Sequence, residues 1–401
     1  MDEWVSYRTS GQYCPGMPGK DDVDYYTFTP NPLSTDLKIK MDAELASLLS
    51  TAHRLLGQLE GMSGFLPNIA AVNSIILQKE AILSCQIDGT NAPLYDVLDT
   101  SLKTDRTTAP IKSCVSAMCL GLEKIKTAQY KNALLCDIHK KLILKGDSEE
   151  QGKFRTEQMF IGKIRVITNY PLTYNPTAPA QLPSALRDLE KFIRRDDDID
   201  VLIKVALAHY QFETIHPFMS GNGLVGRILP YLILADKKIL TSPLLCLSHY
   251  LNLHKVEYID RMSALRRQCD YEQWIKFYIR AISFAANDSL EGIKKWLHTR
   301  EKNLAKIGKS GKSIKAINPF YDSVERHPIF DIYTVAQKVG ISYNTGASAI
   351  NLLSSLGIVQ QINQMERNRD YACMDFLRCF IGEDMLPLME HSEILRNDKS
   401  I

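Results

Sequence analysis

One short stretch of the sequence combines a base, a glycine-rich turn and a fixed cation. It runs from His216 to Arg227 and reads His-Pro-Phe-Met-Ser-Gly-Asn-Gly-Leu-Val-Gly-Arg. Histidine has an unperturbed pKa of about 6.5, so it can take a proton from a hydroxyl group near neutral pH. Gly221 and Gly223 let the backbone approach a ligand closely, and Asn222 adds a side-chain amide. The pattern predicts an anion site beside a base, which suits phosphoryl or nucleotidyl transfer.

The anion site needs donors that point out of a helix end. The apolar run at 228–235 predicts a helix that starts just behind the turn, and the first amides of such a helix lack partners within it. Arg227 adds a positive charge that suits a phosphate group. The alternative is a histidine that is hydrogen-bonded in a helix turn, with glycines that serve only a tight bend. The joint spacing favours the anion site.

The rest of the chain is mainly helical by its apolar spacing, with a short β-hairpin expected at 152–162, where β-compatible residues lie between glycines. Eight lysines and arginines between 294 and 315 predict a linker. A helix, turn, helix and two strands in the last part predict a winged helix-turn-helix. The expected organisation is an irregular N-terminal arm at 1–36, a helical region at 37–110, a core at 111–293, a basic linker at 294–317, the winged helix-turn-helix at 318–380 and a tail at 381–401.

Composition narrows the class of protein. The 401 residues carry a formal net charge of only +2, which excludes a globally polybasic protein. The nine cysteines form no C-x-x-C pair, so a reducing compartment fits best. No secretory signal and no apolar run of membrane-spanning length occur, and we expect a cytoplasmic protein without membrane contact.

The stretch at 216–227 resembles the signature of the Fic (Fido) family, whose usual form is H-P-F-x-[D/E]-G-N-G-R-x-x-R. The resemblance covers roughly residues 40–295 and implies a mainly α fold, a Fic-type helical bundle with a β-hairpin flap, followed by a C-terminal winged helix. It implies transfer of AMP from ATP to a protein hydroxyl. In that reaction His216 would be the base, Asn222 with the amides of Gly221 and Gly223 would hold the phosphates, and Arg227 would meet the outer phosphate.

Two positions depart from the family pattern. Ser220 stands where the family places the acid that holds Mg²⁺, and a neutral hydroxyl is a poor sole ligand for a hard dication. Leu224 stands where the family has its first arginine. The acidic residue that usually binds Mg²⁺ in the family is therefore absent, and we predict no metal-binding residue. Two hypotheses stay open: an adenylyltransferase, and a catalytically impaired regulator that binds nucleotide, or that binds DNA or protein through its winged helix.

An upstream segment, Ser84-Cys-Gln-Ile-Asp88-Gly89, resembles the inhibitory motif [S/T]-x-x-x-E-[G/N] of the family. In the family a helix-borne glutamate pairs with the second arginine of the signature and blocks productive ATP binding. Asp88 is one methylene shorter than glutamate. An inhibitory Asp88 and an aspartate that simply ends a helix are equally compatible with the sequence.

The resemblance also implies partners. The segment at 152–162 resembles the flap, where a target protein would bind by adding a strand. Its candidate contact residues are Lys153, Phe154, Arg155 and Thr156. The second helix of the winged part, at 343–356, has no lysine or arginine, so phosphate contacts would come from Arg367, Arg369 or the basic linker. DNA and protein remain alternative partners there, and the sequence leaves an oligomer open.

Overall fold

The computed structural model describes residues 10–15, 25–33, 37–90, 97–98, 108–142, 151–161, 174–310, 314–363, 365 and 369–381. These residues are mainly helical, as expected from the sequence. The elements in chain order are β1 Gly11–Pro15, β2 Tyr26–Pro30, α1 Ala43–Ser63, α2 Ile69–Ile87, α3 Thr108–Ile125, α4 Asn132–Leu142, α5 Leu182–Arg194, α6 Val201–Ile215, α7 Asn222–Asp236, α8 Leu247–Leu253, α9 Lys255–Gln268, α10 Tyr271–Lys309, α11 Ile314–Arg326, β3 Ile329–Asp331, α12 Ile332–Val339, α13 Tyr343–Ser355, β4 Gln360–Gln361, β5 Asp370–Ala372 and α14 Met374–Phe380. A single 3₁₀ turn, Pro179–Gln181, precedes α5.

The chain divides into two compact units. The first contains residues 1–57, 113–241 and 247–284, and the second contains 58–112, 242–246 and 285–401. Each unit therefore combines segments that are distant in sequence. No described helix is both long enough and apolar enough to cross a membrane.

Helix α6 lies at the centre of the first unit. It is buried along almost its whole length because most of its residues are apolar, although Lys204, His209 and Gln211 are buried with them, and it packs against α5 and α7. Asp200 caps its N-terminus by accepting a hydrogen bond from the Leu202 amide at 2.8 Å. The two helices that flank the signature turn, α6 and α7, are thus fixed by core packing.

The N-terminal segment differs from the irregular arm expected at 1–36. Its strands β1 and β2 pair antiparallel, from Gly11 opposite Pro30 to Pro15 opposite Tyr26. The Asn175 side chain donates to the Tyr26 carbonyl at 2.8 Å, and the Phe28 amide donates to the Asn175 carbonyl at 2.8 Å. Apolar packing outweighs the turn-forming residues, because the Phe28 ring is 1% exposed. The arm is therefore a hairpin built onto the first unit.

The second unit contains the elements predicted for its C-terminal part. Helices α11, α12 and α13 are joined to a three-stranded antiparallel sheet in the order β3, β5, β4. Asp331 caps α12 and Ser342 caps α13, each through its side-chain oxygen. Between these helices Gly340 has φ 76°. The order is helix, strand, helix, helix, strand, strand. The last two helices and the last two strands lie where the sequence predicts them, whereas strand β3 was not predicted.

The expected basic linker at 294–317 is wrong. Helix α10 continues without a break to Lys309, and α11 begins at Ile314. The reason lies in tertiary packing: Arg300 is buried and contacts the carboxylates of Asp322 and Glu325 on α11. Glu325 also accepts hydrogen bonds from Trp296 and Asn68 at 3.0 Å each. The expected tail at 381–401 lies outside the described residues except for Ile381.

Candidate functional site

The turn between α6 and α7 changes chain direction at two residues with left-handed backbone conformation. His216 ends α6 with φ 53° and ψ 64°, and its amide donates to the Phe212 carbonyl at 2.9 Å. Gly221 precedes α7 with φ 70° and ψ 10°. A side chain strains this conformation, so the glycine at 221 suits the start of α7. The predicted base therefore lies at the end of one helix, and the predicted anion turn opens the next.

The His216 imidazole has a defined proton arrangement. Its Nδ1 lies 3.2 Å from the Glu213 carbonyl oxygen, which can only accept a hydrogen bond. The proton is therefore on Nδ1 and the lone pair is on Nε2. The side chain is half-buried. This tautomer is the one in which Nε2 can accept a proton from a hydroxyl group.

The N-terminus of α7 provides backbone donors. The first backbone hydrogen bond of this helix runs from the Val225 amide to the Gly221 carbonyl at 3.1 Å. The amides of Gly223 and Leu224 precede it and point out of the helix end. Such an end carries a partial positive charge and attracts phosphate groups. The position predicted to hold an anion thus has the backbone geometry for one.

The Asn222 side chain closes the turn. Its oxygen accepts from the Phe218 amide at 2.8 Å, and its nitrogen donates to the Phe218 carbonyl at 2.7 Å. The side chain is 2% exposed. The oxygen and one N–H of the amide are therefore engaged within the protein, and Asn222 shapes the turn. Any contribution of this side chain to phosphate binding would come from its remaining N–H.

Arg227 lies in the second turn of α7 and is 3% exposed. Burial of the neighbouring His209 imidazole is the main cause that lowers its pKa to about 3; the hydrogen bond to Gly226 acts against it, and the positive charge of Arg227 lowers the pKa further. His209 donates through Nδ1 to the Gly226 carbonyl at 2.7 Å and accepts at Nε2 from the Tyr258 hydroxyl at 2.7 Å. This neutral imidazole joins α6, α7 and α9, and it positions the helix that carries Arg227.

Gly226 is required by close approach of α6 to α7. A Cβ atom at this position would lie 2.0 Å from Oε1 of Glu213. The carboxylate of Glu213 therefore packs directly on the α7 backbone. The main-chain carbonyl of the same residue accepts the hydrogen bond from Nδ1 of His216, one turn later. The glycine spacing in the signature serves this packing as well as the turn itself.

The flap segment is different from the hairpin predicted at 152–162. Residues 151–161 contain no strand, and position 162 lies outside the described residues. The segment is held instead by Arg155, whose amide donates to the Pro217 carbonyl at 2.9 Å. The guanidinium donates to the carbonyls of His216 at 2.9 Å, Glu157 at 3.1 Å, Ile215 at 3.4 Å and Thr177 at a short distance. These bonds to a distant helix end replace the cross-strand ladder of a hairpin.

Arg155 therefore acts inside the protein. It is 5% exposed, and burial lowers its pKa to about 10, which leaves it charged at neutral pH. A cation at the C-terminus of α6 is favourable for the helix dipole. The other predicted flap residues are more accessible: Lys153 and Thr156 are exposed, and Phe154 is half-buried with its ring 5.2 Å from that of Phe218.

A groove of about 620 Å³ lies next to this segment. The flap residues 154–156 form one wall, and the start of α5 with the 3₁₀ turn before it forms the other. Leu182, Pro183 and Leu186 make the second wall apolar, and Arg187 adds an exposed cation. The groove has room for side chains of an extended polypeptide.

The described residues include no group of at least three His, Cys, Asp or Glu side chains that could bind a metal ion. Ser220 is exposed and neutral, and Leu224 is half-buried and apolar. Hard dications prefer carboxylate oxygens. We therefore assign no step to Mg²⁺.

The candidate inhibitory residues lie in the second unit. Ser84 is buried in the last turn of α2, and Asp88 is exposed at the C-cap of this helix. The Asp88 amide donates to the Cys85 carbonyl at 3.2 Å, and Gly89 follows with φ 90°. The segment thus ends a helix, as the sequence predicts. The structure brings together the other site residues, at 153–156 and 216–227, within the first unit.

Sequence reasoning missed two histidines that are in contact with the signature turn or its helix. His139 on α4 contacts the Ser220 carbonyl, and His209 on α6 contacts the Gly226 carbonyl. Both are almost completely buried. A histidine within an apolar helix face is the only sequence signal at these positions, and it does not reveal the partner.

Comparison with known proteins identifies two family models in the chain. The model of the Fic/DOC family matches residues 129–234, and the model of the Fic/DOC family N-terminal region matches residues 46–123. The first contains the entire turn at 216–227. The second contains the segment from Ser84 to Gly89.

Two curated relatives are named protein adenylyltransferases. One, fic-1 of Caenorhabditis briggsae, is 24% identical over 177 residues, which cover 43% of this chain and 33% of the relative. Another, Fic of Drosophila mojavensis, is 24% identical over 228 residues, which cover 52% of this chain and 43% of the relative. The chain thus spans less than half the length of these relatives.

A crystal structure of a Fic family protein from Desulfovibrio desulfuricans resembles the fold, with a TM-score of 0.52 and 16% sequence identity. The match covers 84% of this chain and 97% of that one. At this identity the likeness concerns the fold.

Proposed function

The chain belongs to the Fic family, and from this premise we propose that it transfers AMP from ATP to a side-chain hydroxyl of a target protein. The observation that carries the proposal is the His216 imidazole, which is fixed as the Nδ1–H tautomer at the end of α6. The amides that open α7 follow it within one short turn. A base and a phosphate-binding helix end are the parts that such a transfer needs.

In the proposed reaction, Nε2 of His216 accepts the proton of the target hydroxyl. The hydroxyl oxygen attacks the α-phosphorus of ATP, the bond from this phosphorus to the oxygen bridging to the β-phosphorus breaks, and pyrophosphate leaves. The amides of Gly221, Gly223 and Leu224 would hold oxygens of the transferred phosphate. Arg227 would stabilise the negative charge of the outer phosphates.

The substitutions at Ser220 and Leu224 should make this reaction slow. Removing one donor that stabilises a transition-state charge costs roughly 10²–10³ in rate in other enzymes. Here a carboxylate for the metal and a guanidinium are both replaced by neutral groups. We therefore expect weak activity compared with a protein that has both groups.

We place target binding at the flap segment. Because Arg155 is committed to internal carbonyl groups, the contacts with a target would come from Lys153, Phe154 and Thr156 and from the adjoining groove. A double variant, K153A with T156A, should reduce modification of the target and leave ATP affinity unchanged. An equal loss of target modification and of ATP affinity would contradict the assignment of target binding to Lys153 and Thr156.

Incubation of the purified protein with labelled ATP and either Mg²⁺ or Mn²⁺ tests the transferase proposal. Label should appear on the protein itself or on a lysate protein, and H216A should abolish it. No label above that of H216A would count against the proposal. Titration of ATP by calorimetry, with and without Mg²⁺, then shows whether the pocket still binds nucleotide.

Asp88 and Ser84 are proposed regulatory residues of the same activity. If Asp88 inhibits as a family glutamate would, D88G should increase labelling and D88E should decrease it. The alternative, that Asp88 only ends α2, predicts equal labelling for all three proteins. The Asp88 backbone makes the helix-ending contact in every case, so the comparison isolates the side chain.

A second candidate function is that of a regulator without transferase activity, and the neutral side chains at 220 and 224 favour it. We propose that the helices and sheet at 318–380 form a winged helix-turn-helix. The α13 helix carries no lysine or arginine, and its exposed residues are Ser, Asn, Thr and Tyr. DNA binding would then depend on a few cations such as Arg369, whereas protein binding would not. Sequence-specific DNA binding that resists salt, without any labelling, would favour this function.

The nine cysteines all lie in the described residues, and none forms a disulfide. This agrees with a reducing compartment, so we retain the cytoplasm as the proposed location.

A further inference from the structure

We propose that His139 is a positioning residue that holds the anion-binding turn in its binding conformation and links this turn to the base of the flap segment. The inference rests on the proposed function only in naming ATP as the ligand of the turn. His139 lies in α4, 13 residues before Gly152 and 81 residues before Ser220. Neither the motif nor the comparisons assign it a role.

The two ring nitrogens of His139 contact opposite kinds of group. Nε2 lies 3.1 Å from the carbonyl oxygen of Ser220, which can only accept a hydrogen bond. Nδ1 lies 3.0 Å from the amide nitrogen of Gly152, which can only donate one. A single neutral tautomer, with the proton on Nε2, satisfies both contacts. A proton on Nδ1 would place two N–H groups against each other.

The surroundings keep the ring neutral and in place. His139 is 1% exposed, and burial lowers the pKa of the imidazole, with the Ser220 carbonyl acting in the opposite direction. The ring also stacks on Phe218, with centroids 3.9 Å apart and planes at 5°. Phe218 belongs to the turn and is held by Asn222 at both backbone atoms. His139 thus contacts the turn through Phe218 and through Ser220.

The contact at Ser220 has a direct consequence for anion binding. The Ser220 carbonyl and the Gly221 amide belong to one peptide group, which is planar and trans, so they point in opposite directions. A hydrogen bond that fixes the carbonyl therefore fixes the direction of the Gly221 amide as well. Gly221 also sets the entry into α7 through its left-handed backbone. His139 in this way orients a donor of the site without touching the ligand.

The contact at Gly152 extends the same link to the flap. Gly152 precedes Lys153, and Arg155 is bound to the Pro217 carbonyl through its own amide. The segment from 152 to 155 is therefore attached at its two ends, once through His139 and once through the backbone. The His139 imidazole is therefore hydrogen-bonded both to the segment proposed to bind the target and to the turn proposed to bind the nucleotide.

A matched pair of variants separates the two bonds of His139. Glutamine places an amide near the Nε2 edge of the lost ring and can keep the bond to Ser220, whereas asparagine places one near the Nδ1 edge and can keep the bond to Gly152. We expect H139N to weaken ATP binding by about tenfold in calorimetric titration, and H139Q by less than about threefold. A purely structural role predicts that both variants lose affinity in proportion to their loss of melting temperature.

Failure of the wild type to bind ATP would refute the proposed function but not the role of His139. Two measurements without nucleotide test this role separately. Hydrogen exchange of the 218–223 amides should be about tenfold faster in H139N than in the wild type and nearly unchanged in H139Q. In the wild type, ¹⁵N NMR of the imidazole should show a neutral ring protonated on Nε2 at pH 7. Equal exchange in both variants, or a ring protonated on Nδ1, would overturn the inference.

Discussion

Replacing Arg155 tests how the end of α6 is held. The R155M variant keeps most of the length of the side chain and removes the guanidinium, which donates to the carbonyls of Glu157, Thr177, Ile215 and His216. The bonds to His216 and Glu157 have ordinary lengths of 2.9 and 3.1 Å, and the bond to Ile215 is long, at 3.4 Å. The variant removes this donor from two carbonyl groups at the end of α6, those of Ile215 and His216, and from two carbonyl groups of neighbouring loops.

The expected cost follows from these contacts. A hydrogen bond from a charged donor contributes roughly 1.5–3 kcal/mol, but water can reach part of a site at the end of a helix. We therefore expect R155M to lose about 3–5 kcal/mol, a value typical of breaking a buried charged network. One kcal/mol lowers the melting temperature by about 2–4 °C in a unit of this size, so the total decrease should be about 10 °C.

Two variants serve as controls in thermal and urea unfolding followed by circular dichroism. R155K keeps the charge but not the planar fork, and we expect it to lose about half as much. K153M changes an exposed neighbour in the same segment and should stay within about 0.5 kcal/mol of the wild type. An R155M protein that unfolds within 1 kcal/mol of the wild type would refute the assignment of Arg155 to the end of α6.

Three further predictions concern pH, catalysis and the second unit. The pKa of His209 is about 3 when folded and near 6.5 when unfolded, so protonation of the unfolded chain should cost about 2 kcal/mol of stability as the pH falls from 7 to 5. H209N should lose this part of the pH slope in urea titrations, and identical slopes would contradict it. S220D combined with L224R should raise AMP labelling by at least about 10²-fold, and no increase would show that other groups limit the reaction. E325Q should destabilise the second unit by about 3–5 kcal/mol in calorimetric unfolding, because Glu325 is buried among cationic and polar donors, and a loss below 1 kcal/mol would be contrary to this.

The sequence predicted the signature turn well because its geometry is local. Glycine at 221 indicates a left-handed residue, and the apolar run after it indicates a helix. The chemistry of His216 follows from its residue type, and its tautomer depends on a carbonyl only three residues away. Local rules of this kind operate within one or two helical turns.

The contacts that hold the turn could not be predicted, because their partners are distant in sequence. Ser220 lies 81 residues from His139, and Tyr258 lies 49 residues from His209. The role of Asn222 was also hidden, since a buried amide can bind either a ligand or the backbone. Only the arrangement of Phe218 around it shows which atoms it contacts.

Two elements were predicted wrongly for the same physical reason. The run of basic residues after 294 resembled a linker, but burial of Arg300 against acidic side chains of α11 stabilises a continuous helix. The glycines and β-compatible residues at 152–162 resembled a hairpin, but Arg155 binds the end of α6 in place of a partner strand. In both cases a single buried arginine overrides the local pattern.

The amides at the start of α7 are proposed to bind a phosphate within reach of the His216 imidazole. A crystal structure with a non-hydrolysable ATP analogue tests it most directly. The α-phosphate should contact the amides of residues 221–224, and Nε2 of His216 should face the α-phosphorus. A nucleotide bound elsewhere, or a turn closed by side chains with no nucleotide bound, would contradict it.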